Sequence, residues 1–190
     1  MKKRIMFSII LIIVGVFLMS SGKIGKQTNQ KKVPIIYSKH YNIRLFGIQK
    51  LHPFDSEKYG RVYRYLKKRF ELKKVNFYQP EQVTNEELLK VHSQEYLSSL
   101  NDPEVIASIA ELLLIKKVPV SILRKKFLAP MRYATGGTLL GVDLAFEYGW
   151  AINLSGGYHH AKSNSGGGFC FFADIPIAVY KLFKKNPVLS

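Results

Sequence analysis

The sequence predicts an α/β fold with three layers built around a mainly parallel sheet. Two observations carry that expectation. Short β-rich apolar runs alternate with helical segments along most of the chain, and the densest cluster of Gly, Ser and His follows the last of those runs, where parallel sheets place their sites. With 190 residues, 47% of them apolar, the chain is long enough for one medium domain with a real core. A single cysteine excludes an internal disulfide and any cysteine-clustered zinc site.

The chain begins with Lys2, Lys3 and Arg4, followed by an apolar stretch over residues 5–19 broken only by Ser8 and Gly15, and then Ser20-Ser21-Gly22. This is the pattern of a signal peptide or an N-terminal membrane anchor over residues 1–22. Fifteen helical residues rise only about 22 Å, short of a ~30 Å hydrocarbon core, which favours the signal peptide. Extension through Gly22 nearly reaches spanning length, and no alanine-rich cleavage site or lipobox cysteine settles the choice. Either way the expected location is exported or membrane-anchored, of bacterial type and not nuclear. Residues 23–32 lack apolar periodicity and read as a flexible basic linker.

The formal charge of +16 falls unevenly. Residues 1–32 hold seven basic and no acidic side chains, which leaves 22 basic against 13 acidic over residues 33–190. Those cations are spread out, with short runs at Lys67-Lys68-Arg69, Arg124-Lys125-Lys126 and Lys184-Lys185. They read as solvated surface, and no nucleic-acid motif accompanies them.

From Val33 each segment has a local reason. Residues 33–37 form a first strand, and Asp55 or Ser56 caps a helix whose Tyr59, Val62, Tyr63, Leu66 and Phe70 share one face. Residues 75–78 are a second strand, stopped by Pro80. Thr84 and Glu87 form a capping box for a helix over residues 85–90, and Ser93 caps another through Leu100. Residues 103–114 and 130–147 read as further helices, the latter ending at Gly149 and carrying Gly136-Gly137, which suggests close packing on another backbone. Residues 151–154 look like a buried strand, and Asp174 caps a last helix through Phe183. Trp150 is expected in the core, His40 on the surface, His92 in a helix-entry turn, and Tyr59 and Tyr63 on a helix face.

Residues 155–172, SGGYHHAKSNSGGGFCFF, concentrate the chemistry. A lone His-His pair would read as surface. Here glycines on both sides let another molecule approach the backbone, and Phe169, Phe171 and Phe172 bring apolar walls. Two titratable rings beside such a slot suit a slender apolar substrate arm with a polar reacting end.

This segment resembles the active-site signature of zinc-dependent histone deacetylases. So do VPIIYSKHYNIRLFGIQKLHPFDSEKYGRV, VHSQEYL and Thr135-Gly136-Gly137-Thr138, in order, with LHPFD pointing to the class IV branch. The resemblance implies an arginase/deacetylase-like fold and zinc-dependent deacylation of acylated lysine or a small acylated amine. It implies that His160 is the general base and later acid, with His159 its electrostatic and hydrogen-bonding partner. Gly168 would hold the acyl-lysine amide through its carbonyl, Phe169 would wall the lysine tunnel, and His52, Pro53 and Phe54 would lie near its base. Cys170 is expected to pack rather than attack.

In that family the zinc ligands and a transition-state Tyr follow the helix expected here to end near Phe183. After His160 this sequence has one carboxylate, Asp174, and no histidine. The expectation is therefore a truncated N-terminal portion of a deacetylase domain over residues 33–190. It would hold no metal ligands, be inactive alone, and have a missing C-terminal half as a possible partner. Two alternatives stand beside it. One is an exported non-catalytic binding or interaction module that keeps the slot. The other is a metal-free hydrolase using Ser155 or Ser165 with His159, although neither Ser lies in a nucleophile-elbow pattern.

Overall fold

Four apolar or β-favouring residues make β1 (Val33–Ile36) the centre of a parallel sheet. The computed structural model describes residues 32–70 and 75–187, so the expected signal or anchor segment, and all of the linker except Lys32, lie outside the described residues. β1 pairs in parallel with β2 (Val75–Tyr78), Val33 opposite Val75 through Ile36 opposite Tyr78. On its other side it pairs with the two-residue β3 (Ile152–Asn153). The order is β2-β1-β3.

Side chains alternate across a strand, and this alternation creates the layers. Ile36 is fully buried and points at Gly141 of α6 (Ala129–Tyr148). Tyr37, one residue on, stacks at 4.1 Å on Tyr63 of α1 (Lys58–Arg69). Tyr63 also meets Phe77 of β2 edge-on at 4.9 Å. The two helices thus cover opposite faces of the sheet, giving the three layers the sequence predicts.

The capping signals differ in outcome. The box before α2 (Asn85–Leu88) forms reciprocally: Thr84 Oγ1 accepts from the Glu87 amide at 3.1 Å, and Glu87 Oε2 accepts from the Thr84 amide at 2.8 Å. Ser93 caps α3 (Gln94–Ser99) by accepting from the Tyr96 amide at 3.1 Å. Asp55 and Ser56, by contrast, do not cap α1. The Asp55 carboxylate accepts from the Glu57 amide, while buried Ser56 donates to the Ile43 carbonyl, so helix begins only at Lys58.

The helix expected over residues 103–114 stops early as α4 (Pro103–Ile109), because Glu111 takes φ +50°. The following apolar run then divides: Leu112 and Ile115 turn inward, while Leu113 and Leu114 stay exposed on a 3₁₀ turn over Leu113–Lys117. Residues 120–128, of which the sequence reading singles out only the charge run Arg124-Lys125-Lys126, form α5 (Val120–Leu123) running into a π turn over Arg124–Leu128. The buried Leu123 and Phe127 supply the apolar half of that pattern.

The double glycine in α6 does what its sequence suggests. A Cβ on Gly136 would overlap the Glu81 carbonyl, and one on Gly137 would strike the Tyr41 hydroxyl and lie 2.8 Å from the Asn153 carboxamide. At the helix end Gly149 adopts φ +86° and turns the chain outward, leaving Trp150 45% exposed rather than in the core. The strand expected to be buried over residues 151–154 shrinks to half-buried β3.

The last helix, α7 (Asp174–Lys185), packs Ile177 and Ala178 inward and is tied to α6 by Lys181, which donates to Asp143 at 2.7 Å and to the Leu139 carbonyl at 3.1 Å. Its outer face carries exposed Ile175, Val179, Tyr180 and Phe183. Asp174 is not its cap but its first residue, with no solvent exposure. No described helix is long and apolar enough to cross a membrane.

Substituting Gly136→Ala forces a Cβ into backbone and is expected to cost about 1–3 kcal/mol. Gly141→Ala, whose Cβ would meet only Ile36 Cδ1 at 3.5 Å, should be neutral or stabilise by up to about 1 kcal/mol. Urea unfolding of the two variants checks this, and equal midpoints would contradict the packing role of Gly136.

Candidate active site

The loop after β3 leaves the carboxyl rim of the sheet, where the Leu154 amide makes the last ladder bond to the Ile36 carbonyl at 3.0 Å. Its path is then set by a side chain from outside the loop. The Asp174 carboxylate accepts from the Gly157 and Tyr158 amides, each at 2.8 Å, and from the Thr138 hydroxyl at 2.6 Å. Thr138 in turn accepts from Asn153 Nδ2 at 3.2 Å, and Asn153 Oδ1 accepts from the Tyr41 hydroxyl at 2.8 Å. Burial and the neighbouring Tyr59 raise the Tyr41 hydroxyl well above its ordinary value, keeping it a donor. One buried relay therefore connects the 3₁₀ turn at Lys39–Tyr41, α6, β3 and α7 to the backbone immediately before the histidines.

His159 and His160 sit at the exposed end of this loop, ring centroids 4.1 Å apart. His159 Nδ1 lies 3.1 Å from the Gly157 carbonyl, an acceptor only, so that nitrogen carries a hydrogen. The His160 ring lies against Gly168. A Cβ there would come within 2.7 Å of its Cδ2.

Gly168 and Phe169 are the two central residues of a tight hairpin closed by the Gly167 and Cys170 backbones. Both have positive φ, +52° and +64°, the pattern of a type I′ turn. Gly accepts that conformation freely. Phe does not, and the strain, of order 1–3 kcal/mol, is offset by what holds it. The Phe169 amide donates to the Ile109 carbonyl at 2.9 Å, and its ring, 3% exposed, lies 5.0 Å from both His52 and Phe54 and 6.0 Å from Phe127.

His52 is fixed as well. Its Nδ1 accepts from the Phe54 amide at 2.9 Å, so its hydrogen is on Nε2, which faces the Glu111 carboxylate at 3.4 Å. Pro53 is exposed between the two rings. The structure therefore brings together His160 with Gly168, and Phe169 with His52 and Phe54. Phe169 is covered by these rings rather than open along its length.

His92, expected only in a helix-entry turn, is 3% exposed and clamps the strap of residues 163–173 that carries this hairpin. Its Nε2 accepts from the Ala173 amide at 2.9 Å, and Nδ1 donates to the Ser163 carbonyl at 3.3 Å. Burial lowers its proton affinity. Tyr96 adds a bond from its hydroxyl to the Phe171 carbonyl at 2.7 Å. Neither role is legible in the sequence, where partners 71 and 81 residues away leave no spacing signal. Asp174 left one signal, as the sole carboxylate after the histidines.

The remaining candidates resolve simply. His40 is exposed and stacks on Tyr133 at 4.4 Å. Buried Cys170 gives its thiol hydrogen to the Gly168 carbonyl at 3.4 Å, and burial raises its pKa, away from thiolate reactivity. Ser155 is buried and shares its hydroxyl with Tyr158 at 3.1 Å, which occupies the atom a serine hydrolase would need. Among the described residues, no group of three or more His, Cys, Asp or Glu is placed to hold a metal ion. The donor set present does not fit the zinc ion that the resemblance implies.

The histone deacetylase domain model matches residues 52–189. Over 152 residues, 80% of the chain, the sequence is 44% identical to Histone deacetylase 2 of Arabidopsis thaliana, 39% of which is covered. It is 26% identical over 169 residues to Probable histone deacetylase 19 of Zea mays, covering 32% of that protein. It is 30% identical over 120 residues to Histone deacetylase 1 of Homo sapiens, covering 24%. The chain thus spans well under half the length of each relative.

Two outcomes follow from this geometry. Asp174→Ala leaves two buried amides without an acceptor and should destabilise the chain by at least about 1–3 kcal/mol, with faster proteolysis within residues 155–172. An unchanged urea midpoint would contradict the anchoring role. For His92, the unfolded ring protonates near pH ~6.5 while the folded ring resists, so its stabilisation is full above that value and is lost as pH falls below it. Unfolding free energies from pH 7.5 to 5 should therefore decline more steeply in the native sequence than in His92→Gln, whose amide cannot protonate.

Proposed function

Because the chain belongs to the histone deacetylase family, we propose that it supplies the proton-handling half of an amide deacylase site acting on acylated lysine or a small acylated amine. The observation that carries this reading is the seating of the His160 ring on Gly168, in a strained hairpin whose next residue packs on His52 and Phe54. A strained turn held by this many contacts is a feature kept for a site rather than for stability.

On this reading His160 takes a proton from the attacking water and returns it to the leaving amine. His159, its Nδ1 hydrogen held by the Gly157 carbonyl, stays in one tautomer beside it and stabilises the charge that develops. The Gly168 carbonyl, which now accepts the Cys170 thiol hydrogen, accepts the substrate amide hydrogen instead. Phe169, with His52, Pro53 and Phe54, belongs on this reading to the wall of the acyl-lysine path, which requires its covered ring to be uncovered when that arm enters.

Zinc belongs to the proposal only as the family's cofactor, since the described residues offer no donor set for it. Its ligands would come from sequence outside those residues, and the exposed apolar face of α7 is the surface such a segment would cover. Export or anchoring through residues 1–22 belongs to the same proposal. The missing donor set also favours a second reading, a binding module that keeps the acyl-lysine slot without the chemistry.

The 190-residue chain alone is expected to bind no stoichiometric zinc and to release no acyl group from acetyl- or longer-acyl-lysine peptides. Chelator-sensitive deacylation by this chain would overturn the half-site reading. When a zinc-binding C-terminal segment is supplied, hydrolysis should appear and fall by roughly 10²–10⁴-fold in His160→Ala. Peptide binding by a monodisperse chain that never gains hydrolysis would support the binding module instead.

A further inference from the structure

We propose that the groove formed by α2, α3, the π turn after α5 and the start of α6 binds a small phosphorylated ligand. It is a cavity of about 430 Å³, within the range of roughly 300–1,000 Å³ that small-molecule sites occupy. Its lining includes Arg124, Arg132, Gln82, Asn85, Gln94 and Asn101, and neither His159 nor His160 takes part.

The two guanidinium groups are positioned before any ligand arrives. Half-buried Arg132 donates to the Val83 carbonyl at 3.0 Å and to Asn85 Oδ1 at 2.6 Å, with its guanidinium 5.5 Å above the buried Phe172 ring. Arg124 donates to Asn101 Oδ1. Of five N–H donors on each group, these bonds occupy a minority, leaving the rest for a bound oxyanion. Holding the side chains in advance removes much of the ordering cost of binding.

The groove contains no counter-charge. Among the described residues, Arg44 pairs with Glu57 and Arg61 with Asp55, but no residue lining the groove is a carboxylate. Its polar side chains are guanidinium, carboxamide and hydroxyl groups. Two unneutralised cations at one recess, half-buried Arg132 and exposed Arg124, favour an anion. The planar forks of arginine match phosphate oxygens two at a time, and carboxamide N–H groups can complete the shell of a tetrahedral anion better than that of a planar carboxylate.

Calorimetric titration of sodium pyrophosphate into the 190-residue chain at fixed ionic strength tests this. Saturable one-to-one binding is expected, weakened about tenfold or more by Arg124→Gln, the worth of one charge-assisted hydrogen bond. It should be unchanged by Lys67→Gln/Lys68→Gln on the exposed face of α1, and malonate should bind more weakly. Hydrogen exchange of the native chain should show pyrophosphate-dependent protection within residues 82–101 and 124–132, a measurement that needs no variant. The proposal is overturned by absence of saturation, by equal loss in the α1 variant, by no loss in Arg124→Gln, by malonate binding as tightly, or by protection confined to other segments.

Discussion

A carboxylate with no exposure to solvent sits in the first turn of α7 and takes hydrogen bonds from two backbone amides and one hydroxyl. Such a group is tolerated in a protein interior only when its lone pairs are matched. Here the matching partners are the loop that carries the histidines and the helix with the double glycine. Moving any one of these elements would leave the carboxylate or its donors unpaired, so the relay fixes where the loop leaves the sheet. The direction of the relay is consistent throughout: Tyr41 donates to Asn153, Asn153 to Thr138, and Thr138 to Asp174.

Close approach of backbones makes that relay possible. Gly136 brings α6 onto the Glu81 carbonyl and Gly137 onto the Tyr41 hydroxyl, distances no residue with a Cβ permits. A fully packed interior transmits such constraints because it has few voids in which to relax them. The result is a rigid rim from which the short hairpin holding Gly168 and Phe169 projects. His92 and Tyr96 tie down the far side of the same strap. The acid/base candidates are thus exposed for reaction while the backbone on both sides of them is immobilised, as catalytic positioning requires.

The composition of the molecule is uneven in a way that bears on its partners. Among the described residues β2 and β3 are the edges of the sheet, the Thr135 hydroxyl of α6 is buried without a hydrogen-bond partner, and α7 turns an apolar face outward. Exposed apolar stripes on a helix mark contact surfaces.

Local chemistry alone was enough for the sequence to determine the strands at β1 and β2, the Thr84–Glu87 capping box, the Ser93 cap and the Gly149 stop, because each depends on neighbours a few residues away; the double glycine signalled close packing, but its partners Glu81 and Tyr41 are distant in the chain. The tandem histidines, the glycine-flanked hairpin and the His52 to Phe54 segment were legible as motifs for the same reason. Tertiary structure decided the rest. Asp174 reads as a cap until the Gly157 and Tyr158 amides, 17 and 16 residues distant, claim its oxygens. Trp150 reads as core until the left-handed Gly149 turns it outward. The break at Glu111, the π turn, the His92 clamp and the unpaired arginines of the groove depend on contacts between segments far apart in the chain, and no local propensity or spacing encodes where a distant backbone will come to rest.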